Sequence, residues 1–315
     1  MTGGPRSVLF VKKPNDAAAT ARLCELSEWL QQNGVQVYVE NAVAREVPHA
    51  RAYAPPPEGR AHAPPAPRPE IDLCVTLGGD GTVLHLASLF SDDRCPLPPV
   101  VSFAMGTLGF LTPFSAAEAP AVLSRLLARG GAEEPVFCTL RTRRQCEVRW
   151  RGAAQWTHTV LNECLLDRGD SPAMVLLEVS VDGRRVTTVQ ADGLILAPPS
   201  GSTAYSMSAG GPMVAPSVPC TLVTPVAPHS LSFRPLIVPE HSVIEVHLPA
   251  ASRAQARASF DGRHAMRLPR GASIVCRASR YALPVINRRS LDADWYEGIT
   301  HKLQWTGSLR PLTRE

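Results

Sequence analysis

The residues best placed for chemistry in this chain of 315 are Leu77-Gly78-Gly79-Asp80-Gly81-Thr82. They lie between an apolar run, 71–77, that reads as a buried strand and a second run, 83–90, whose spacing suits a helix. Glycine admits positive φ and close approach, so Gly78, Gly79 and Gly81 let backbone N–H groups and a helix N-terminus face an anion. Asp80 does not fit a plain anion cradle. A carboxylate there repels phosphate unless it holds a metal or takes a proton from an attacking hydroxyl. The combination points to phosphoryl transfer from a nucleotide. The alternative for these six residues alone is an ordinary Asp-Gly turn.

What is missing narrows the chemistry. No Gly-Lys-Ser/Thr occurs, which excludes a Walker-type loop, and no His-Arg-Asp or Asp-Phe-Gly segment is present, which excludes the protein kinases. Lys12, Lys13 and Lys302 are the only lysines. Phosphates therefore fall to backbone amides, arginine and a divalent metal such as Mg²⁺. No set of residues has the spacing of a dedicated protein metal site.

Three further stretches are more polar than strands require. Asn162-Glu163 interrupts an apolar run; an amide beside a carboxylate suits an adenine edge and a ribose diol, and a plain strand end is the alternative. Asp192-Gly193 leads into Ser200-Gly201-Ser202-Thr203-Ala204-Tyr205-Ser206-Met207-Ser208, where small hydroxyls around one tyrosine suit a purine pocket with Tyr205 stacking. A plain Ser/Gly loop is the alternative there. The third stretch, 224–231, holds His229, read as a structural histidine in a proline-fixed turn.

The elements that must position these residues follow from periodicity. A strand at 7–11, a helix at 17–32 with Leu23, Leu26 and Leu30 on one face, and a strand at 35–39 form a βαβ unit and predict a parallel sheet. Residues 54–69 hold seven prolines and read as a surface loop without function. A strand at 100–104 runs into a second glycine loop, 106–112. Loops at the carboxyl ends of parallel strands share one crevice, so this loop belongs beside Asp80. Ser115 and Glu118 form a capping box for a helix reaching about 129. Beyond Pro135 strands dominate, at 145–150, 157–165, 174–181, 185–190 and 194–197, with more between 243 and 276; Asp182-Gly183 and Asp261-Gly262 mark hairpins. The expected organisation is an α/β domain with a parallel, Rossmann-like sheet at 1–134, a β-rich, sandwich-like domain at 135–290, and a tail at 291–315 whose Trp295, Tyr296, Ile299, Leu303 and Trp305 suit a helix packing back on the first domain.

Composition sets the outer bounds. At 44% hydrophobic residues the chain is globular, and a net charge of +4 with dispersed arginines offers no nucleic-acid-binding face. Eight cysteines without a Cys-x-x-Cys pair read as reduced core thiols of a cytoplasmic protein. No apolar run has the length of a membrane span, and a first strand at Ser7 leaves no room for a leader.

Taken in order, the 77–82, 106–111, 162–163, 192–193, 200–206 and 224–231 segments resemble the NAD kinases. Val189-Gln190-Ala191-Asp192-Gly193, the 230–235 segment and Ser259-Phe260-Asp261-Gly262-Arg263 look like the eukaryotic, plant-like branch. The resemblance covers about 70–300. It implies an α/β domain of the diacylglycerol kinase type plus a β-sandwich, and transfer of the terminal phosphate of ATP to the 2′-hydroxyl of the adenosine ribose of NAD. It assigns Asp80 as proton acceptor, with Gly78, Gly79, Gly81 and Thr82 at the ATP phosphates with Mg²⁺. It places Asn162, Glu163, Ser200, Thr203, Ala204, Tyr205 and Ser208 on the adenosine half of NAD. Gln190, Asp192 and Ala227 match positions that reach NAD, some from a neighbouring subunit of a homodimer or homotetramer. Pro198 stands where relatives show Ser or Thr, the proline-rich insert is unusual, and the longer N-terminal extension of many relatives is missing. A lipid or sugar kinase built on the same Gly-Gly-Asp-Gly element is the rival enzyme, and a non-catalytic NAD-binding regulator the rival from another class.

Overall fold

The computed structural model describes residues 4–54, 69–91, 93, 95–128, 135–290 and 292–303. The first layer is a sheet of β1 (Ser7–Lys12), β2 (Gln36–Glu40), β3 (Arg51–Tyr53), β4 (Leu73–Leu77) and β5 (Val100–Ala104), with β6 (Phe114–Ser115) beside β5. These strands are parallel, in the order β3-β2-β1-β4-β5. Helix α1 (Ala17–Gln32) packs Leu23, Leu26 and Leu30 against Val8, Phe10 and Val75, joined by α3 (Ala119–Leu127). The opposite face, with Leu9, Val11 and Cys74, is covered by α2 (Asp80–Ser88) through Val83 and Leu86. Strand β1 is buried along its whole length because helices cover both faces, which explains its unbroken apolar run. The capping box forms, with the Ser115 N–H donating to Glu118.

The β-rich part is two antiparallel six-stranded sheets. One runs β12 (Arg184–Ala191), β11 (Val175–Val181), β16 (Ile244–His247), β19 (Ser273–Ala278), β8 (Arg144–Trp150), β9 (Ala153–Val160). The other runs β15 (Leu236–Pro239), β14 (Cys220–Val226), β13 (Gly193–Ala197), β10 (Cys164–Asp167), β17 (Ala256–Phe260), β18 (Arg263–Leu268). Alternate residues of both, among them Val148, Leu177, Leu194 and Ile274, share one core. Both Asp-Gly dipeptides turn hairpins with positive φ at each residue, 50° and 75° at Asp182-Gly183 and 50° and 67° at Asp261-Gly262.

Two strands within 135–290 pair into the first sheet instead. β20 (Leu283–Asn287) lies parallel to β5, and β7 (Phe137–Arg141) lies antiparallel to β20. Leu283 and Val285 join the core on the α2 side while Ile286 joins the α1 side. A strand apolar on both faces is satisfied only between two helical layers, so β20 goes there rather than to a sandwich with one wet face. Arg143 ties the crossover: it is buried and donates to the Phe90 and Tyr281 carbonyls. The continuous strand expected at 157–165 is broken at 161–163. After the short α4 (Tyr205–Ser208), the last helix, α5 (Ala293–Lys302), buries Trp295 and Ile299 and brings Gly298 against Phe110 of the second glycine loop. The third helix ends at Leu127, two residues before the expected position, with Ala128 already extended at ψ 116°; the proline-rich stretch 55–68 and Trp305 lie outside the described residues. Among the described residues no helix is long and apolar enough to cross a membrane.

Candidate active site

β4 delivers the chain to Gly78, whose N–H bonds the Phe103 carbonyl at 3.0 Å, and α2 begins at Asp80. Gly78, Gly79 and Gly81 do not adopt the positive φ that their type allows. Space is their purpose: a Cβ on Gly78 would stand 2.1 Å from Thr82 Oγ1, whereas Gly79 and Gly81 face open space, as an approaching ligand requires.

Asp80 is held by the second glycine loop, as the shared crevice predicted. Its carboxylate accepts from the Phe110 N–H at 2.8 Å, the Leu111 N–H at 3.0 Å and Thr112 Oγ1 at 3.3 Å. Gly109 permits this contact, since a Cβ there would lie 1.6 Å from Asp80 Oδ1. Cations surround the carboxylate. Arg141 is buried and donates to the Phe110 carbonyl at 3.2 Å; burial lowers its pKa to about 10 while the Asp80 charge opposes the fall. Lys302 of α5 lies 4.9 Å from the Phe110 ring and also feels Asp80, though burial lowers its pKa. The Lys13 backbone N–H bonds the Leu77 carbonyl at 2.8 Å, while its ammonium pairs with Asp16 at 3.4 Å.

The second domain meets this turn through the hairpin at Asp261-Gly262. Arg263 donates to the Gly81 carbonyl at 3.3 Å and to His85 Nδ1 at 2.8 Å, and His85 Nε2 bonds Glu40 at 2.7 Å. Asp261 turns inward and accepts from three consecutive N–H groups, Leu161 at 2.9 Å, Asn162 at 2.7 Å and Glu163 at 3.1 Å. This nest is why the strand breaks at 161–163. Leu161 belongs to the same buried cluster as Val83 and Leu86 of α2 and Leu111 of the second glycine loop, and Asn162 and Glu163 follow it. Burial, followed by the Asp261 charge, pushes the Glu163 carboxyl up to about 7, and its Oε2 has no partner among the described residues.

The hydroxyl-rich segment packs directly on that corner. A Cβ on Gly201 would stand 1.8 Å from the Asn162 carbonyl oxygen, so only glycine brings the two backbones this close. Ser200 is buried with its Oγ unpartnered among the described residues. Ser206 is anchored to Thr224 at 2.8 Å, which leaves the neighbouring Thr203 and Ala204 half-buried and Tyr205 and Ser208 exposed, with Tyr205 at 41%. Gln190, Asp192 and Ala227 are not brought to this place. The Gln190 carbonyl accepts from the His229 N–H, and Asp192 from Arg168 at 2.8 Å, at the opposite end of β13 from Ser200. The five residues of that strand span about 16 Å at ~3.3 Å per residue.

Sequence models of the ATP-NAD kinase N-terminal and C-terminal domains match residues 8–131 and 161–288. The chain belongs to the NAD kinase family. It is 42% identical over 309 residues to an Oryza sativa protein named as an NAD kinase, covering 96% of this chain and 61% of that one. It is 41% identical over 250 residues to the NAD(+) kinase of Saccharomyces cerevisiae, covering 75% of this chain and 45% of that one. The chain thus spans about half the length of these relatives. The crystal structure of yeast NADH kinase complexed with NADH superimposes with a TM-score of 0.82 at 34% identity, covering 99% of this chain and 91% of that one. An NAD kinase from Archaeoglobus fulgidus shares the fold, with a TM-score of 0.68 at 22% identity over 95% of this chain and 98% of that one. Within this family fold, sequence reasoning missed Asp261, Arg263, Arg141 and Lys302 as site residues. Asp261 and Arg263 carried two signals, the Asp-Gly dipeptide and the 259–263 segment that resembles the plant-like branch, which mark a turn and a family but not what either side chain holds.

Proposed function

We propose that the chain is an NAD kinase, transferring the terminal phosphate of ATP to the adenosine ribose 2′-hydroxyl of NAD to give NADP and ADP. The supporting observation is an unbroken line of contacts. It runs from Asp80 and Gly81 through Arg263 and Asp261 to Asn162 and Glu163, and on to Gly201. These contacts support the reading of Asp80, at a glycine-lined helix start, as proton acceptor for a ribose held at the Asn162-Glu163 corner. Asp80 takes the ribose proton as the 2′-oxygen bonds the terminal phosphorus, and the bond from that phosphorus to the bridging oxygen breaks to release ADP. Gly78, Gly79, Gly81 and Thr82 receive the donor phosphates. Asn162 takes the adenine edge, Glu163 the ribose diol, and Ser200, Thr203, Ala204, Tyr205 and Ser208 wall the adenosine.

Among the described residues no cluster of His, Cys, Asp or Glu is spaced to enclose a metal. Mg²⁺ takes one or two carboxylates and completes its shell with substrate phosphates and water, so a nucleotide kinase needs no such cluster. The ion would arrive with the ATP phosphates held at Gly78, Gly79 and Gly81 and would neutralise their charge. Gln190, Asp192 and Ala227, at the far end of β13, would serve NAD held by a neighbouring subunit of a homodimer or homotetramer. The eight cysteines carry free thiols, which supports a reducing, cytoplasmic setting. Incubation with ATP, Mg²⁺ and NAD should yield NADP. Consumption of ATP with a lipid or sugar acceptor but not with NAD would replace this reading by that of the rival kinases.

A further inference from the structure

A cleft of about 330 Å³ lies on the β-rich domain, lined by Arg168, Arg253, Arg257, Arg267 and Arg270 with Asp170. It stands at the Asp192 end of β13, since Asp167 pairs with Gly193 across the sheet. The charges there are not balanced. Arg257 is held by Asp167 through contacts of 3.1 and 2.9 Å, and Arg168 by Asp192 at 2.8 Å. Arg253, Arg267 and Arg270 have no carboxylate within ion-pair distance among the described residues; Arg270 instead donates to the Arg253 carbonyl at 3.1 Å. Arg257 and Arg267 are direct cross-strand partners in β17 and β18. Like charges directly opposite each other weaken an antiparallel pair, so the fold alone gives no reason for this one. Guanidinium is also the group that engages phosphate in a two-pronged fashion and keeps its charge at all working pH values.

We propose that this cleft is a second anion site, separate from the Asp80 centre, taking a ligand with adjacent phosphate groups. Inorganic tripolyphosphate and the triphosphate of a nucleotide share that chemistry. Either would place consecutive phosphates among the three uncompensated guanidiniums and relieve the Arg257–Arg267 repulsion. The carboxylates already paired with Arg168 and Arg257 are local and would stay so.

The test is calorimetric titration of the full chain with tripolyphosphate and, separately, with ATP, comparing the wild type with Arg267→Gln/Arg270→Gln. Wild type should show one more bound tripolyphosphate per chain than the variant, or an affinity at least tenfold higher, and this binding should weaken steeply with salt. Equal binding of tripolyphosphate and ATP at this site assigns recognition to phosphate alone; tighter ATP binding assigns a nucleotide; both support the site. The variant should melt at or above the wild-type temperature, because a repulsive pair has gone, which shows that it folds. NADP formation without added tripolyphosphate should be unchanged. Identical stoichiometry and affinity in wild type and variant overturn the proposal. So does a shift in oligomeric state without loss of anion binding, which would assign these arginines to a subunit contact.

Discussion

Replacing Asp80 by Asn tests the centre of the proposed reaction, and the structure makes the test sharper than the loss of a base alone. The carboxylate accepts three bonds, from Phe110, Leu111 and Thr112. An Asn side chain has one acceptor oxygen, so if that oxygen keeps the Leu111 and Thr112 donors its NH₂ confronts the Phe110 N–H. Losing a bond to a charged group and leaving two donors face to face costs about 1.5 to 3 kcal/mol. At roughly 2 to 4 °C per kcal/mol, Tm should fall by about 3 to 12 °C. The catalytic loss is larger. Removing a general base lowers kcat by about 10² to 10⁴, with KM for NAD nearly unchanged because the adenosine corner is built by Asp261. Thr112→Val is the control. It deletes the bond to Asp80 and the 2.6 Å bond from the Gly109 N–H, loosening the same loop with the base in place. Stopped assays of NADP formation below both melting temperatures should show Thr112→Val within about tenfold of wild type. If Asp80→Asn keeps near-full turnover, or if Thr112→Val loses as much as Asp80→Asn, Asp80 is a loop pin and not the base. Partial rescue of Asp80→Asn at high Mg²⁺ would assign the lost charge to the metal instead.

Three further outcomes follow. Glu163, raised to about 7 by burial and then by Asp261, keeps in the native state a proton that the unfolded chain loses near 4.5. Its contribution to stability is therefore full below about 4.5 and is lost as pH rises toward 7, by roughly 3 kcal/mol. Urea unfolding from pH 4.5 to 8 should show that decline in wild type and a flatter curve in Glu163→Gln; parallel curves would refute the assigned environment. Tyr205→Ala should raise KM for NAD by the equivalent of about 1 to 3 kcal/mol, as loss of a base stack does, and leave KM for ATP alone; an equal rise in both would make Tyr205 a packing residue. Gly201→Ala places a methyl 1.8 Å from the Asn162 carbonyl, against backbone that cannot swing away. It should lower stability by about 1 to 3 kcal/mol and raise KM for NAD. A variant with wild-type Tm and KM would show that the two backbones do not meet there.

The local elements were legible because each is specified by spacing within a few residues. Leu23, Leu26 and Leu30 fix the buried face of α1, an all-apolar run fixes β1, and the Asp-Gly dipeptides fix two hairpins. The glycine turn and its companion loop were also legible, because carboxyl ends of parallel strands necessarily share a crevice. The ordered motifs carried the family. What spacing could not hold is decided between residues far apart in the chain. β20 begins 183 residues after β5 does yet pairs with it, Val285 against Val100, and only the presence of two helical layers selects that place over the sandwich. Asp261 lies 98 to 100 residues from the amides it gathers, so its sequence shows a turn while its carboxylate builds the Asn162-Glu163 corner. The split of the candidate residues into one group beside Asp80 and another at the far end of β13 likewise depends on which end of a strand each occupies. Periodicity says which face a side chain takes; only the assembled sheets say what stands opposite it.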